Sequence, residues 1–311
     1  MKVNILKAYS FHNQGHRDYQ EDSRHPDSDE IDNSQSYFMV CDGVGGSAHG
    51  ELASRGVCQS FAKLMARHHS DDSFSNSDLS ELLSSAYRDL DSLSKKTDGD
   101  MATTLTFLCF HNEGCTMAHI GDSRIYQFRN GESIIYRSDD HSLVNILVHR
   151  GVISPSATEG HPQSHVITRC MEPFNESAER AQATVIRSSD IEAGDIFLLC
   201  SDGVLENIDD DGLCEIIISG KSLKEKAEEL SAKCIDSSDN NTAILVEVES
   251  VNLSKDESIE EVDRNEKEEK EEQLNSKSTR RLPRQKSESC EVEVNTSNPG
   301  FFEKLKNLFK K

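Results

Sequence analysis

The chain has 311 residues, of which 35% are hydrophobic, and a formal net charge of −22. A surface this acidic repels phosphate backbones, so nucleic acid is excluded as the main ligand. The apolar fraction is low for a wholly globular protein, and the deficit concentrates in residues 255–298, which are rich in Glu, Lys, Ser, Asn and Arg.

The cysteines and the N-terminus bear on the compartment. Nine cysteines, an odd number without a Cys-x-x-Cys pair, give neither zinc-ligand spacing nor an obvious disulfide framework. Residues 1–6 lack the apolar region of a signal peptide, and no apolar run approaches the roughly 18 residues of a membrane span. We therefore expect a cytoplasmic protein, and we expect it to be a monomer.

Predicted strands and helices alternate in groups along the chain. Runs rich in β-branched and aromatic residues predict strands at 3–10, 37–41, 103–110, 115–119, 124–128, 133–137, 195–200 and 242–248. Apolar residues at helical spacing predict helices at 51–68, 78–95, 142–150, 211–218 and 222–234. Hairpin-length turns between strands indicate antiparallel pairing, and strands grouped between helices favour an α+β domain.

Two acidic phrases follow directly after predicted buried strands. The first is Asp42-Gly43-Val44-Gly45-Gly46, after the run 37–41, and the second is Ser201-Asp202-Gly203, after the run 196–200. A carboxylate at the end of a buried strand is poorly solvated unless a cation meets it, and Gly after each Asp lets the backbone approach closely. A divalent metal is the simplest such cation.

Two other interpretations of the first phrase are open at this point. A single Asp-Gly after a strand is ordinarily a turn. Gly43, Gly45 and Ala48 also match a loose dinucleotide-binding pattern. Against that pattern, Asp42 would repel a pyrophosphate, and helix-like sequence continues where a partner strand carrying an acid is expected about 20 residues further on.

Further acidic phrases along the chain decide between these interpretations. They are Gly15-His16-Arg17-Asp18-Tyr19-Gln20-Glu21-Asp22, Gly99-Asp100-Met101-Ala102-Thr103-Thr104, Gly121-Asp122-Ser123-Arg124 and Asp239-Asn240-Asn241-Thr242-Ala243, reinforced by Asp139-Asp140-His141-Ser142-Leu143, His161-Pro162 and Ile167-Thr168-Arg169. In this order and at these intervals, the set resembles the metal-dependent Ser/Thr protein phosphatases of type 2C, the PPM family, and looks most like their bacterial branch. The resemblance extends from about Ala8 to about Val248.

The resemblance implies a specific architecture. Two antiparallel β-sheets pack face to face as a sandwich, and helices cover both outer faces, within a phosphatase domain at 1–249. The segment at about 141–185 corresponds to the family's flap, a variable insertion beside the active site. Beyond the domain, composition predicts a disordered charged linker at 250–299.

The resemblance also implies a set of metal ligands. Asp42 is the expected carboxylate bridge between two ions, and Gly43 is expected to offer its backbone carbonyl to one of them. Asp202 and Asp239 match ligands of the other ion. Asp122 resembles the ligand of a third, weaker ion, with a turn Asp that bonds its own backbone as the alternative. Because every donor is an oxygen, Mn²⁺ or Mg²⁺ is favoured over zinc.

The expected catalytic residues are Arg17, Glu21 and Asp42. Glu21 resembles the acid that holds a metal-bound water, and Asp22 supports the same loop. Arg17 matches the family's phosphate clamp, for which a planar guanidinium is suited. Two ions sharing a carboxylate would lower the pKa of a bridging water, so no protein nucleophile is needed. Consistently, the Cys-x5-Arg signature of cysteine-dependent phosphatases is absent.

One departure concerns the proton donor. Some family members, mainly eukaryotic, carry a His in the segment after the Asp-Gly pair or nearby, and they are thought to use it as a general acid for the leaving alkoxide. Here the position after Gly43 is Val44. His49 lies nearby, but a structural residue at a helix N-terminus is the simpler interpretation. A metal-bound water could also supply the proton.

The expected function is hydrolysis of phosphoserine and phosphothreonine in phosphorylated proteins, themselves substrates of a Ser/Thr kinase. A catalytically weak or inactive phosphoprotein-binding regulatory domain is the alternative, and loss of the bridging Asp would mark it. A metal nuclease or phosphodiesterase uses similar carboxylates, but it would need a basic channel that the charge balance does not offer.

The last twelve residues form a separate pattern. Residues 300–311 place Phe301, Phe302, Leu305, Leu308 and Phe309 on one helical face, with lysines largely on the other. This predicts a short basic amphipathic helix that needs a surface to form on. We expect that surface to be an anionic membrane or a partner protein, with the protein's own acidic body as the alternative.

Overall fold

The computed structural model describes residues 1–131, 133–158, 160–174 and 179–252. Its strands are β1 Lys2–Ile5, β2 Ala8–Asn13, β3 Ser23–His25, β4 Glu30–Ile31, β5 Tyr37–Cys41, β6 Leu105–His111, β7 Gly114–Ile120, β8 Arg124–Arg129, β9 Ser133–Arg137, β10 Thr184–Ser188, β11 Ile196–Cys200 and β12 Asn241–Asn252. Its helices are α1 Gly50–Met65, α2 Asn76–Ser94, α3 Leu143–His149, α4 Asp202–Leu205, α5 Asp210–Ile217 and α6 Leu223–Cys234, with a 3₁₀ turn at Pro155–Ala157. The predicted helix at 300–311 lies outside the described residues, as does the predicted linker beyond Asn252.

The strands form two antiparallel sheets. One has the order β4-β2-β12-β11-β8-β9, with β1 also paired to β12, and the other has the order β10-β7-β6-β5-β3. The predicted α+β sandwich is thereby confirmed. Because β5 is antiparallel to both of its neighbours, β3 and β6, the βαβ unit of a dinucleotide-binding domain is excluded.

Side-chain alternation along the strands decides how the layers stack. In β5, Phe38 and Val40 lie between the two sheets, whereas Met39 faces α1 and α2. In β11, Phe197 lies between the sheets, whereas Leu198 packs under α5 and α6. Strands buried on both faces have continuous apolar sequences, which explains the two runs that precede the acidic phrases.

Local capping determines where several helices begin. Ser75 and Asp78 form a reciprocal capping box at the start of α2, and Ser222 and Glu225 form another at the start of α6. Ser142 caps α3 through the backbone N–H of Asn145. Within the described part of the chain, no helix combines the length and apolarity needed to cross a membrane.

Some predicted boundaries are wrong. The single strand predicted at 3–10 is two strands, because the pairing with β12 shifts register after Asn4 and Leu6 and Lys7 leave the ladder. β12 continues to Asn252, since β1 pairs with its last residues, so the first three residues of the predicted linker belong to a strand. The short strands β3, β4 and β10 were not predicted, because polar residues interrupt their patterns.

Candidate metal centre

Strand pairing places the predicted ligands at the edges of the two sheets. In the seven-stranded sheet, the end of β11 pairs with the start of β12, so Asp202 and Asp239 flank the same edge. In the five-stranded sheet, the ends of β5 and β7 both lie beside the start of β6, which brings Asp42 and Asp122 to one edge. Antiparallel pairing therefore gathers acids that are far apart in the sequence.

Asp42 and Asp202 are the centre of this acidic cluster, and their carboxyl groups are in hydrogen-bonding contact. Burial and the charges of Asp22, Asp202 and Asp122 raise the pKa of Asp42 well above its usual value. Burial, with Asp239 nearby, raises the pKa of Asp202 to about 6. Burial also raises the pKa of Asp22 to about 7 and that of Asp122 to about 8. Carboxyl groups gathered in this way retain protons unless a cation compensates them.

Two carboxylate oxygens of the cluster are buried without a hydrogen-bond partner, namely Oδ1 of Asp22 and Oδ1 of Asp202. The other oxygen of Asp22 accepts a hydrogen bond from Ser201 Oγ at 2.7 Å. An unpartnered buried oxygen is costly, and a hard divalent cation is the partner that carboxylates suit. On this test the residues fit Mn²⁺ or Mg²⁺.

The same carboxyl groups also bond to one another or to a cationic side chain. Asp42 contacts Asp202, and Asp239 Oδ2 accepts from Arg17 at 2.6 Å. Consistently, no three His, Cys, Asp or Glu side chains in the described ranges already stand in metal-binding positions. These carboxyl groups would exchange their present partners for an ion when it binds.

Backbone contacts hold Asp42 in place. Its N–H donates to Thr104 Oγ1 at 2.9 Å, and its carbonyl accepts from the Thr104 N–H and from Thr103 Oγ1, each at 2.8 Å. Thr104 Oγ1 lies 2.7 Å from Ser123 Oγ, next to Asp122. The two threonines, which the sequence offered only as part of a motif, therefore position the Asp42 backbone.

The glycines after the two acids allow close backbone approach, as predicted. A Cβ atom on Gly43 would lie 2.5 Å from the carbonyl carbon of Gly50 and 2.7 Å from the Glu21 carbonyl oxygen. A Cβ atom on Gly203 would lie 2.1 Å from the Asn240 carbonyl oxygen. Any side chain at either position would therefore push the acidic loops apart.

The loop that carries Arg17 and Glu21 is tied to the Asp239 loop by Asn240. The buried Asn240 side chain donates to the Gln14 carbonyl at 2.8 Å and to the Tyr19 carbonyl at 3.0 Å. Its Oδ1 accepts from the Glu21 N–H at 2.8 Å. Asn240 was part of a quoted motif but had no predicted role, because these contacts span more than 200 residues of sequence.

Arg17 and Glu21 both face the acidic cluster. A Cβ atom on Gly45 would lie 3.3 Å from Arg17 Nη1, so the guanidinium stands over the glycine loop that follows Asp42. A Cβ atom on Gly50 would lie 2.9 Å from Glu21 Oε1, so that carboxylate reaches the start of α1. Burial raises the pKa of Glu21, and Arg17 opposes that increase.

Asp122 lies at the edge of the acidic cluster, and the structure does not decide between its two interpretations. Its carboxyl group bonds to its own backbone, as a turn residue would, and it also lies close enough to Asp202 to have its pKa raised by that charge. His49 precedes α1 but its side chain makes no capping hydrogen bond, and its Nε2 lies 2.9 Å from the Asp98 carbonyl oxygen. The structural interpretation of His49 is therefore favoured.

Comparison with known proteins supplies the family. A family profile described as protein phosphatase 2C matches residues 15–232. The chain belongs to the protein phosphatase 2C family. The serine/threonine protein phosphatase PstP of Mycobacterium tuberculosis is 33% identical over 187 residues, which are 58% of this chain and 34% of PstP. The chain therefore aligns with about a third of the length of that relative.

Solved structures agree with the bacterial branch of the family. The crystal structure of PstP from Mycobacterium tuberculosis superposes with a TM-score of 0.66 at 27% identity, covering 79% of this chain and 99% of that one. A structure of the catalytic domain of PstP in complex with two manganese ions superposes with a TM-score of 0.60 at 26% identity, with the same coverage of 79% and 99%.

Proposed function

We propose that the protein hydrolyses phosphoserine and phosphothreonine in phosphorylated proteins, with two Mn²⁺ or Mg²⁺ ions held by the acidic cluster. The observation that carries the proposal is the position of Arg17, whose guanidinium pairs with Asp239 and lies near the buried Asp202, an acid with one unpartnered oxygen. A cation that binds a phosphoryl group next to a divalent-metal site is what phosphate ester hydrolysis requires. Family membership and the manganese complex of PstP support the same activity.

The roles of this chain's residues follow from their positions. Asp42, Asp202 and Asp239 would hold the two ions, with Asp42 between them and the Gly43 carbonyl adjacent. The ions, when bound, supply Lewis acidity toward the phosphoryl oxygens and an acidified water. Arg17 binds and orients the phosphoryl oxygens through its planar fork.

Glu21 completes this arrangement. Its carboxylate points toward the start of α1, and its backbone is fixed because the Glu21 N–H donates to Asn240 Oδ1 and the Glu21 carbonyl accepts from the Gly43 N–H. From this position the carboxylate can retain and orient a water near the cluster. Asp22, buried behind it and bonded to Ser201, supports the loop.

Substrates and location are further parts of the proposal. We infer that the substrates are proteins phosphorylated by a Ser/Thr kinase, that the protein acts in the cytoplasm, and that its C-terminal residues tether it to an anionic surface or a partner. Free thiols at Cys41, Cys58 and Cys200 among the described residues suit a reducing compartment.

The decisive experiment is phosphate release from a phosphothreonine peptide by the full chain, with Mn²⁺, with Mg²⁺ and with a chelator. We expect metal-dependent release that the chelator abolishes. An inactive phosphoprotein-binding domain would instead bind the peptide without releasing phosphate. Binding with no release at saturating Mn²⁺ would overturn the proposed activity.

A further inference from the structure

His141 makes two hydrogen bonds to the residue that precedes Asp122. The Gly121 N–H donates to His141 Nδ1 at 3.1 Å, and the His141 N–H donates to the Gly121 carbonyl at 2.9 Å. Gly121 has φ of +106°, and a Cβ atom there would lie 2.6 Å from Thr104 Cγ2. The peptide that sets the direction of Asp122 is therefore held by His141 on one side and by Thr104 on the other.

The hydrogen bonds determine which ring nitrogen of His141 carries the proton. A backbone N–H can only donate, so Nδ1 must accept, and the neutral ring has its proton on Nε2. Nε2 lies 2.9 Å from Oγ1 of Thr184, the first residue of β10, to which it can donate. Arg169 Nη1, 3.4 Å from the same nitrogen, can only donate and so makes no hydrogen bond with a protonated Nε2. One imidazole thus connects the turn before Asp122 with the far end of the 141–185 flap segment.

Other flap residues bond to the His141 backbone. Its carbonyl accepts from the Thr168 N–H at 2.7 Å and from Thr168 Oγ1 at 2.9 Å. The His141 ring also stacks on His119 with 4.5 Å between ring centroids, and His119 Nε2 lies 2.8 Å from the Asp139 carbonyl. His141 is therefore enclosed by contacts with β7 and with both halves of the flap.

We propose that His141 is a positioning residue that holds the Asp122 carboxylate in the direction needed for a third divalent ion and couples that direction to the flap. The proposal rests on the proposed phosphatase function, because it concerns how the same site is assembled. His141 itself touches neither substrate nor ion. It acts through Gly121 on Asp122, and through Thr168 and Thr184 on the flap.

The flap contributes to a cavity, which gives the coupling a consequence. A cavity of about 610 Å³ is lined on the flap side by Val144 and Ser156 and on the other side by Leu205, which ends the helix that begins at Asp202. A flap loosened from the Asp122 turn would alter this cavity. Loss of His141 should therefore weaken both the third ion and the binding of a protein substrate.

The test uses the full chain with three substitutions at one position. Asn keeps an acceptor where Nδ1 stands, because both atoms are attached to Cγ, whereas Gln keeps a donor near Nε2 and Ala keeps neither. The control is Leu82→Ala, a core substitution in α2 that lowers stability without contacting the Asp122 turn. Mn²⁺ binding is measured by titration calorimetry, and kcat and KM are measured on a phosphorylated protein.

We expect His141→Ala to weaken the weakest class of Mn²⁺ sites by about fivefold, as loss of one hydrogen bond implies, while the two tight sites keep their affinity. His141→Asn should restore most of that affinity, and His141→Gln should not. KM for the protein substrate should rise in the Ala and Gln variants. Leu82→Ala should lower the melting temperature and leave the Mn²⁺ isotherm unchanged.

Two results would overturn the proposal. One is a wild-type isotherm without a weaker class of sites, and the other is an unchanged weak class in His141→Ala. Calorimetry needs no turnover, so a wild-type protein that binds three ions but releases no phosphate would defeat the proposed function while leaving the role of His141 supported.

Discussion

The Arg17 guanidinium donates from Nη2 to Asp239 Oδ2 at 2.6 Å, which joins the predicted phosphate clamp to a predicted metal ligand. The Arg17 side chain is 41% exposed and that of Asp239 is 23% exposed. A pair this accessible contributes little to stability, so Arg17 is free to exchange Asp239 for a phosphoryl group. Under the proposed function, an ion bound by Asp239 would release the guanidinium to bind a phosphoryl group.

The first prediction concerns Arg17. Arg17→Ala should lower kcat/KM for a phosphopeptide by about 10- to 100-fold, because a charge-assisted hydrogen bond to the substrate is lost. Arg17→Lys should recover only part of this, since a point charge cannot reproduce the bidentate fork. Mn²⁺ affinity by calorimetry should be unchanged or higher. A parallel loss of Mn²⁺ affinity would show that Arg17 is a structural residue of the acidic loop.

The second prediction concerns Asp42. Asp42→Asn should abolish phosphate release and keep the fold, because a neutral amide cannot bridge two divalent ions. Asp202→Asn and Asp239→Asn should behave similarly. Circular dichroism controls for folding, and near wild-type release by Asp42→Asn at saturating Mn²⁺ would contradict the two-metal assignment.

The third prediction is the pH dependence of the metal-free protein. The pKa of Asp122 is raised to about 8, that of Asp22 to about 7 and that of Asp202 to about 6, whereas carboxyl groups of an unfolded chain titrate near pH ~4. The folded state therefore binds more protons in this window, and the free energy of unfolding falls as pH rises from about 4 to 8. Each such group contributes a slope of up to about 1.4 kcal/mol per pH unit.

Urea unfolding in the presence of a chelator checks this slope. Asp122→Asn should reduce this slope at the upper end of the window, because Asp122 has the highest pKa of the three groups. Added Mn²⁺ should stabilise the protein most at high pH, where the carboxylates are free to bind it. A metal-free stability that increased between about pH 5 and 8 would contradict the prediction.

The fourth prediction separates stability from activity. Arg129 Nε and Nη2 donate to Asp195, whose side chain is fully buried, at 2.8 Å each. Arg129→Met leaves that carboxylate uncompensated and should cost about 3–5 kcal/mol in the free energy of unfolding. At an assay temperature below the melting temperature of the variant, kcat/KM should change little. Arg129 is at the opposite end of β8 from Arg124, about 16 Å along the strand, and therefore far from the Asp122 turn.

A matched control for this substitution is Lys7→Met. Lys7 pairs with Glu30 at 3.0 Å, but both side chains are about half exposed, so the loss of stability should be much smaller than that of Arg129→Met. Equal destabilisation by the two variants would show that burial of Asp195 does not decide the effect.

The fifth prediction concerns the C-terminal residues. Deletion of residues 300–311 should leave dephosphorylation of a short peptide intact and reduce co-sedimentation with anionic vesicles, because the basic amphipathic segment is removed. If the truncated chain bound vesicles as before and its kcat on the peptide changed, the segment would be an intramolecular regulator instead of a tether.

The sequence by itself determined which strands end in acids and therefore which class of site to expect. The runs 37–41 and 196–200 are buried on both faces, and the Asp-Gly pairs that follow them are local signals that need no knowledge of the fold. The helix starts at Ser75 and Ser222 were also encoded locally, by reciprocal capping. The short strands β3, β4 and β10 could not be predicted, since pairing with a neighbour defines them more than their own residues do.

Only the tertiary structure decided which side chains meet at the site. Asn240 joins the Arg17 loop to the Asp239 loop, Thr104 holds Asp42, and His141 connects Gly121 with Thr184. None of these contacts produces a periodic pattern in the sequence. Each joins the ends of two strands that antiparallel pairing has brought together. The hydrophobic pattern specifies the strands, and the pairing of strands into sheets then determines which polar side chains meet.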